Sequence, residues 1–130
     1  MPTETIVTPG SQATYDRFHF ADATVSEGII FCSGAIGTGG DGKLPEAIQE
    51  EFRNAWRKIG EVLAEAGAGF ADIVECTTYH VGLQQHMGDF MAVRDEFLAE
   101  PWPAWTAIGI SELAVPGARV EIRVTARRSV

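Results

Sequence analysis

The closing run RVEIRVTARR, Arg119 to Arg128, holds the densest set of reactive side chains in the chain. Its alternation sends Val120, Ile122, Val124 and Ala126 one way, and Arg119, Glu121, Arg123, Thr125 and Arg127 the other. A sheet face with that much charge is either solvated or part of a polar pocket. Three histidines, His19, His80 and His86, add groups that titrate near neutral pH, and His19 in an early strand is the candidate for proton transfer. None of them has HxH, HxxxH or HExxH spacing, so no metal site is expected. Cys32 and Cys76 lie in apolar surroundings without CxxC spacing, which predicts buried, reduced thiols.

Five glycines between Gly34 and Gly42, at 34, 37, 39, 40 and 42, require a loop. The segment lacks both GxxxxGK[ST] and GxGxxG, so it reads as a flexible surface or pocket-edge loop rather than a phosphate cradle. A net charge of −8 argues against broad nucleic-acid or anionic-membrane binding, which needs clustered Lys and Arg. Nothing approaches a membrane-spanning run of about 20 apolar residues. The N-terminus has no basic region followed by an apolar run, so a cytoplasmic protein without a signal peptide is the expectation.

The elements that must position these residues follow from periodicity. At 130 residues the chain should form one domain over 1–130. Short strands are expected at Thr5 to Thr8 and from Arg17 (RFHF) toward Val25, with a polar loop over Ser11 to Asp16 between them. The apolar run IIFCS, Ile29 to Ser33, is a strand covered on both faces. Pro45 to Ala66 is a helix, with Ile48, Phe52, Ala55, Trp56, Ile59, Val62 and Leu63 on its apolar stripe. Ile73 to Leu83 is a strand, with Val74, Cys76, Thr78 and His80 on one face. A second helix spans about Gln85 to Ala99, using Met87, Phe90, Met91, Phe97 and Leu98. Two strands joined by a Pro116-Gly117 loop close the chain. The result is an α+β domain: a mixed six-stranded sheet with two helices on one face. The uncovered face keeps large apolar side chains, so another subunit should bury it.

These features resemble the Rid superfamily, the RidA/YjgF group also labelled endoribonuclease L-PSP. The resemblance rests on the strand ending in Ser33-Gly34, on IVECTTYHVGL followed by Asp89-Phe90, on Pro103-Ala104, and on VEIRVTARR. It implies a chorismate-mutase-like fold, a barrel-like homotrimer and three clefts between subunits, each drawing on the glycine-loop region of one subunit and the final strands of its neighbour. In the enamine/imine deaminase branch an arginine after the Pro-Ala pair binds the substrate carboxylate; Trp105 stands there. The branch's water-positioning glutamate falls at Arg123, its cysteine at Ala107 and its early tyrosine at Phe20. Ser33 and Gly34 are retained.

The resemblance therefore implies a small-molecule site, while the departures leave the activity open. Arg17, His19, Ser33, Glu112, Glu121 and Arg123 are the polar groups that could converge in the cleft, with Arg123 as a relocated cation for a carboxylate. Trp105 could stack on a planar ligand. One reading is a hydrolase related to imine deaminases, with Glu121, Glu112 or His19 activating water. The other is a non-catalytic trimer that binds a metabolite. A ribonuclease ranks below both on charge. No cofactor is expected.

Overall fold

The structure, a computed structural model, describes residues 3–128; residues 1, 2, 129 and 130 lie outside the described residues. Its strands are β1 (Glu4–Ile6), β2 (Ala23–Ser26), β3 (Ile29–Cys32), β4 (Ala35–Ile36), β5 (Ile73–His80), β6 (Ala104–Gly109) and β7 (Val120–Arg127). Its α-helices are α1 (Gln12–Phe18), α2 (Ile48–Glu65) and α3 (Leu83–Phe97). The strands form one sheet in the order β1-β2-β3-β7-β5-β6, with β4 also on β7. Only the β5–β6 pair among them is parallel, and α3 is its crossover. The architecture is the expected α+β domain with a mixed sheet, with one more strand and one more helix than periodicity gave.

Helix α2 buries the stripe Phe52, Ala55, Trp56, Ile59, Val62 and Leu63 against one face of the sheet. From α3 come Phe90 and Val93, with Phe52 and Phe90 edge to face at 5.2 Å. Met91, expected on the apolar side, is instead exposed. The helix starts at Ile48 rather than Pro45. Arg119 explains this: its Nη2 donates to the carbonyls of Pro45 and Glu46 at 3.0 and 3.2 Å, so those residues are held outside the helical turn. Arg119 also donates from Nε to Oε1 of the fully buried Glu51 at 2.7 Å, and from its backbone N–H to Oε2 at 2.7 Å. That ion pair joins the middle of the domain to the start of β7.

Two irregularities decide which side chains face which way. Phe31 faces Thr125 while Ala35 faces Ile122, so four steps along β3–β4 match three along β7. The extra residue is a bulge around Ser33-Gly34. A second register shift lies between Ile73 and Glu75. It turns Ile73 inward beside Cys76 and leaves Val74 exposed, reversing the expected faces of those two residues.

The segment from Ser11 to Phe20 departs most from expectation. Residues 12–18 are helical, and His19 ends the helix in the left-handed region (φ 62, ψ 46), its N–H donating to the Tyr15 carbonyl. Arg17 and His19 are therefore not on a strand. No side chain of α1 is buried, so there was no apolar stripe to reveal it.

Candidate functional site

Residues opposite one another on neighbouring strands share a face. Thr77 pairs with Arg123 and Tyr79 with Glu121, whereas Cys76 pairs with Val124 and Thr78 with Ile122. Glu121 and Arg123 therefore lie on the open face and Cys76, Thr78 and His80 under the helices, as the alternation of the last strand required. Register then carries the division to β6. Trp105 is opposite Cys76 and Ala107 opposite Thr78, so both belong to the covered face; Thr106 and Ile108 belong to the open one. Trp105 thus does not share a pocket with Glu121 or Arg123 within one chain. The sheet stands between them.

On the open face, the bulge brings Gly34 against Glu121. A Cβ at position 34 would lie 2.5 Å from Glu121 Cδ and 2.6 Å from Cγ, so only glycine fits without moving that side chain. Ser33 is held in place by its hydroxyl, which donates to the Ala21 carbonyl at 2.7 Å. Neither Glu121 nor Arg123 makes a side-chain hydrogen bond or ion pair among the described residues. Arg123 does act on Cys32: its charge partly offsets the burial that pushes the thiol up to about 12. Burial also raises Cys76, to about 11, so both free thiols are protonated and inert at neutral pH.

Ser33, Gly34 and Phe20 line one cavity of about 580 Å³, together with Asn54, Arg57 and Lys58 of α2. Lys58, which sequence reasoning did not single out, donates to Ser11 Oγ at 2.7 Å and Thr8 Oγ1 at 3.0 Å, with Asp22 3.8 Å away. The other proposed residues stay apart. His19 and Arg17 are exposed at the end of α1, where Arg17 lies 5.2 Å over the Phe18 ring. Glu112 is exposed on the β6–β7 connection.

The covered face holds a chain of polar groups that sequence reasoning missed. Trp105 Nε1 donates to Thr78 Oγ1 at 2.9 Å, and Thr78 Oγ1 lies 2.7 Å from His80 Nε2. An indole N–H can only donate, so the threonine oxygen accepts it, and the direction of the Thr78–His80 bond follows the tautomer of the ring. Nδ1 of His80 is buried without a partner. Burial, aided by the nearby His86, lowers its pKa to about 4, and the ring is neutral at pH 7. Arg94 of α3 places its guanidinium carbon 4.8 Å from the Trp105 ring and 5.2 Å from that of Trp102. The signal for it was available: Phe90, Val93, Arg94 and Phe97 form one helical stripe, and an arginine in an apolar stripe marks a buried cation.

Comparisons with known proteins agree with this geometry. The family model described as Endoribonuclease L-PSP matches residues 10–128. The RutC family protein YjgH of Escherichia coli K12 is 36% identical over 129 residues, covering 98% of this chain and 97% of that protein. A 2-iminobutanoate/2-iminopropanoate deaminase from Capra hircus is 32% identical over 112 residues, 82% of this chain and 78% of its own length. Among solved structures, that of protein YJGH superposes with a TM-score of 0.89 at 32% identity, covering 100% of this chain and 99% of the other. Rv2704 of Mycobacterium tuberculosis, a YjgF/YER057c/UK114 family member, shares the fold with a TM-score of 0.82 at 24% identity, covering 97% and 99%. This chain belongs to the Rid superfamily, in the RidA/YjgF group whose family model is named for endoribonuclease L-PSP.

Proposed function

We propose that this protein is a small-molecule hydrolase related to the imine deaminases, working in clefts between the subunits of a homotrimer. The observation that carries this reading is Glu121 on the open face, set against Gly34 and without a hydrogen-bond partner among the described residues. A carboxylate so placed can accept a hydrogen bond from water and orient it. Water adds to the C=N carbon of an imine, the C–N bond breaks, and the nitrogen leaves as ammonia with the carbonyl as co-product. The relatives named as iminobutanoate/iminopropanoate deaminases support that reaction class.

The same division of faces supports the trimer that the family resemblance implies. Phe31 and Ile108 stay 43% and 39% exposed on the open side, more than a solvated sheet face needs. The edge strand β6 carries Trp105 on the covered face, and a neighbouring subunit is what can bring it near another open face. Light scattering should give three times the chain mass; a stable monomer at micromolar concentration overturns the assembly. Buried, unpaired thiols fit a reducing compartment such as the cytoplasm. The charge of −8 weighs against a ribonuclease.

Arg123 favours a second reading, a trimer that binds a metabolite without turning it over, because it stands where the deaminase branch has its glutamate. The test follows the decay of 2-imino acids, generated in place by an amino-acid oxidase, with and without the protein. Acceleration that Glu121→Gln abolishes supports the hydrolase. No acceleration across a panel of amino acids leaves the binding reading.

A further inference from the structure

The parallel pair β5–β6 ends in a notch of about 490 Å³ that the proposed reaction does not use. His80 and Gly109, the last residues of the two strands, lie opposite each other there, and the start of α3 closes one side. Crevices at the carboxyl ends of parallel strands, beside a helix N-terminus, are where such units hold ligands. This helix start is uncapped: Gly82 precedes it with φ 81, no side chain caps it, and its first turn carries no acid. The N–H groups of Gln85 and His86 both donate to the Gly82 carbonyl, at 3.1 and 3.2 Å, whereas those of Leu83 and Gln84 have no acceptor among the described residues. A capping side chain at position 82 is disfavoured, because a Cβ there would lie 3.0 Å from His86 Nε2 on a backbone of positive φ.

A second observation comes from the floor of the notch. His80 is fully buried, lines the notch, and keeps Nδ1 without a partner. Its Nε2 is turned back along β5 to Thr78 Oγ1 at 2.7 Å. The two nitrogens of an imidazole point widely apart, so Nδ1 is turned toward the strand's end, where the notch lies. Ser111 adds a hydroxyl from the β6 side, and no carboxylate is among the lining residues, although the chain carries a net charge of −8. Two idle backbone donors at a helix N-terminus, a hydroxyl and an unpartnered ring nitrogen suit an oxyanion. We propose that this notch binds a phosphate group, free or as a monoester. Its oxygens accept from the N–H groups of Leu83 and Gln84 and from the Ser111 hydroxyl, and one oxygen meets Nδ1–H of His80 directly or through one water. Thr78 then donates to Nε2, so the bound anion selects the tautomer with its hydrogen on Nδ1. The proposal stands apart from imine hydrolysis and from the trimer.

The experiment titrates the full-length protein with inorganic phosphate and with glycerol 3-phosphate at constant ionic strength, with chloride as the control. Backbone amide NMR shifts and calorimetry read the binding. Saturable shifts are expected at Leu83, Gln84 and Ser111, with the His80 ring nitrogens moving to the Nδ1–H pattern. Tighter binding of the ester supports the site and assigns it to a phosphorylated metabolite; tighter binding of inorganic phosphate supports it and assigns it to the free ion. Gln84→Glu, at an exposed position, sets a carboxylate at the mouth and should weaken phosphate about tenfold. His80→Phe keeps an aromatic ring without the inner donor and should also cost about tenfold, as loss of a hydrogen bond to a charged group does. Should His80→Phe not fold, Gln84→Glu decides alone. Absence of saturable binding at millimolar phosphate overturns the proposal. So does unchanged affinity in Gln84→Glu or in a folded His80→Phe, and so do shifts that saturate only around Arg57 and Lys58.

Discussion

The two faces of the sheet treat polar side chains in opposite ways. Under the helices, Trp105, Thr78 and His80 hand hydrogen bonds from one to the next, and the one titratable member is held neutral. On the open face, Glu121 and Arg123 make no side-chain hydrogen bond among the described residues, with Glu121 resting on a glycine. Burial favours the first arrangement, because an unpaired polar group away from water is costly, and His80 Nδ1 is left bearing that cost. Exposure permits the second and leaves charges free for whatever arrives there. The same β-strands thus carry a rigid polar interior on one side and a chemically available surface on the other.

Two glycines sharpen the contrast first. At Gly37 an added Cβ would strike the backbone of Glu51, which cannot move without disturbing α2. Gly37→Ala should cost about 3 kcal/mol, the upper range of overpacking, measured by urea unfolding. A loss under about 1 kcal/mol would show that the helix side yields more easily than its packing indicates.

His80 gives the next effect. Its folded pKa of about 4 lies below the ordinary 6.5, so folding favours the neutral ring. Its contribution is full above pH 6.5 and is lost as pH falls through 4, on the order of 3 kcal/mol. Unfolding midpoints at pH 7 and pH 4 should therefore diverge more in the parent than in His80→Asn. Equal slopes would mean that the covered face does not hold the ring neutral.

Gly34→Ala should be milder, about 1 kcal/mol, because the atoms it meets belong to the movable Glu121 side chain. Its consequence lies in activity: imine hydrolysis should fall as in Glu121→Gln, since the carboxylate is displaced. Retained hydrolysis would remove Glu121 from the reaction. Smallest of all, Arg123→Ala should change stability by no more than about 0.5 kcal/mol, as expected of an exposed side chain with no partner in its own chain. A larger loss would reveal a contact on the open face.

The sequence was most legible where one period ran undisturbed. The alternation of β7 and the stripe of α2 both place their residues correctly, because each repeats over enough residues to exclude other periods. Four residues, RFHF, do not; two phenylalanines two apart suit a strand, yet here they straddle the end of a helix whose side chains are all outside the core. The bulges at Ser33-Gly34 and Ile73–Glu75 were illegible for another reason, since a register shift is a property of two strands and neither sequence alone states it. That Trp105 and Arg123 lie on opposite faces follows only once β6, β5 and β7 are in register. Arg94 was legible as an arginine between Phe90, Val93 and Phe97, and the apolar side was read from its hydrophobic residues alone.

The ion pair of Glu51 and Arg119 has a consequence for how this chain can change. Gly37 is seated on the backbone at Glu51, and Arg119 grips the carbonyls of Pro45 and Glu46. The residues between, 38–44, are thus a span slung between two fixed piers. Lengthening it would leave both piers standing, and the entropic cost grows by only about 0.6 kcal/mol for each doubling of loop length. New residues could be added beside the cavity at Gly39 and Gly40 while the sheet, the bulge and the helices keep their places.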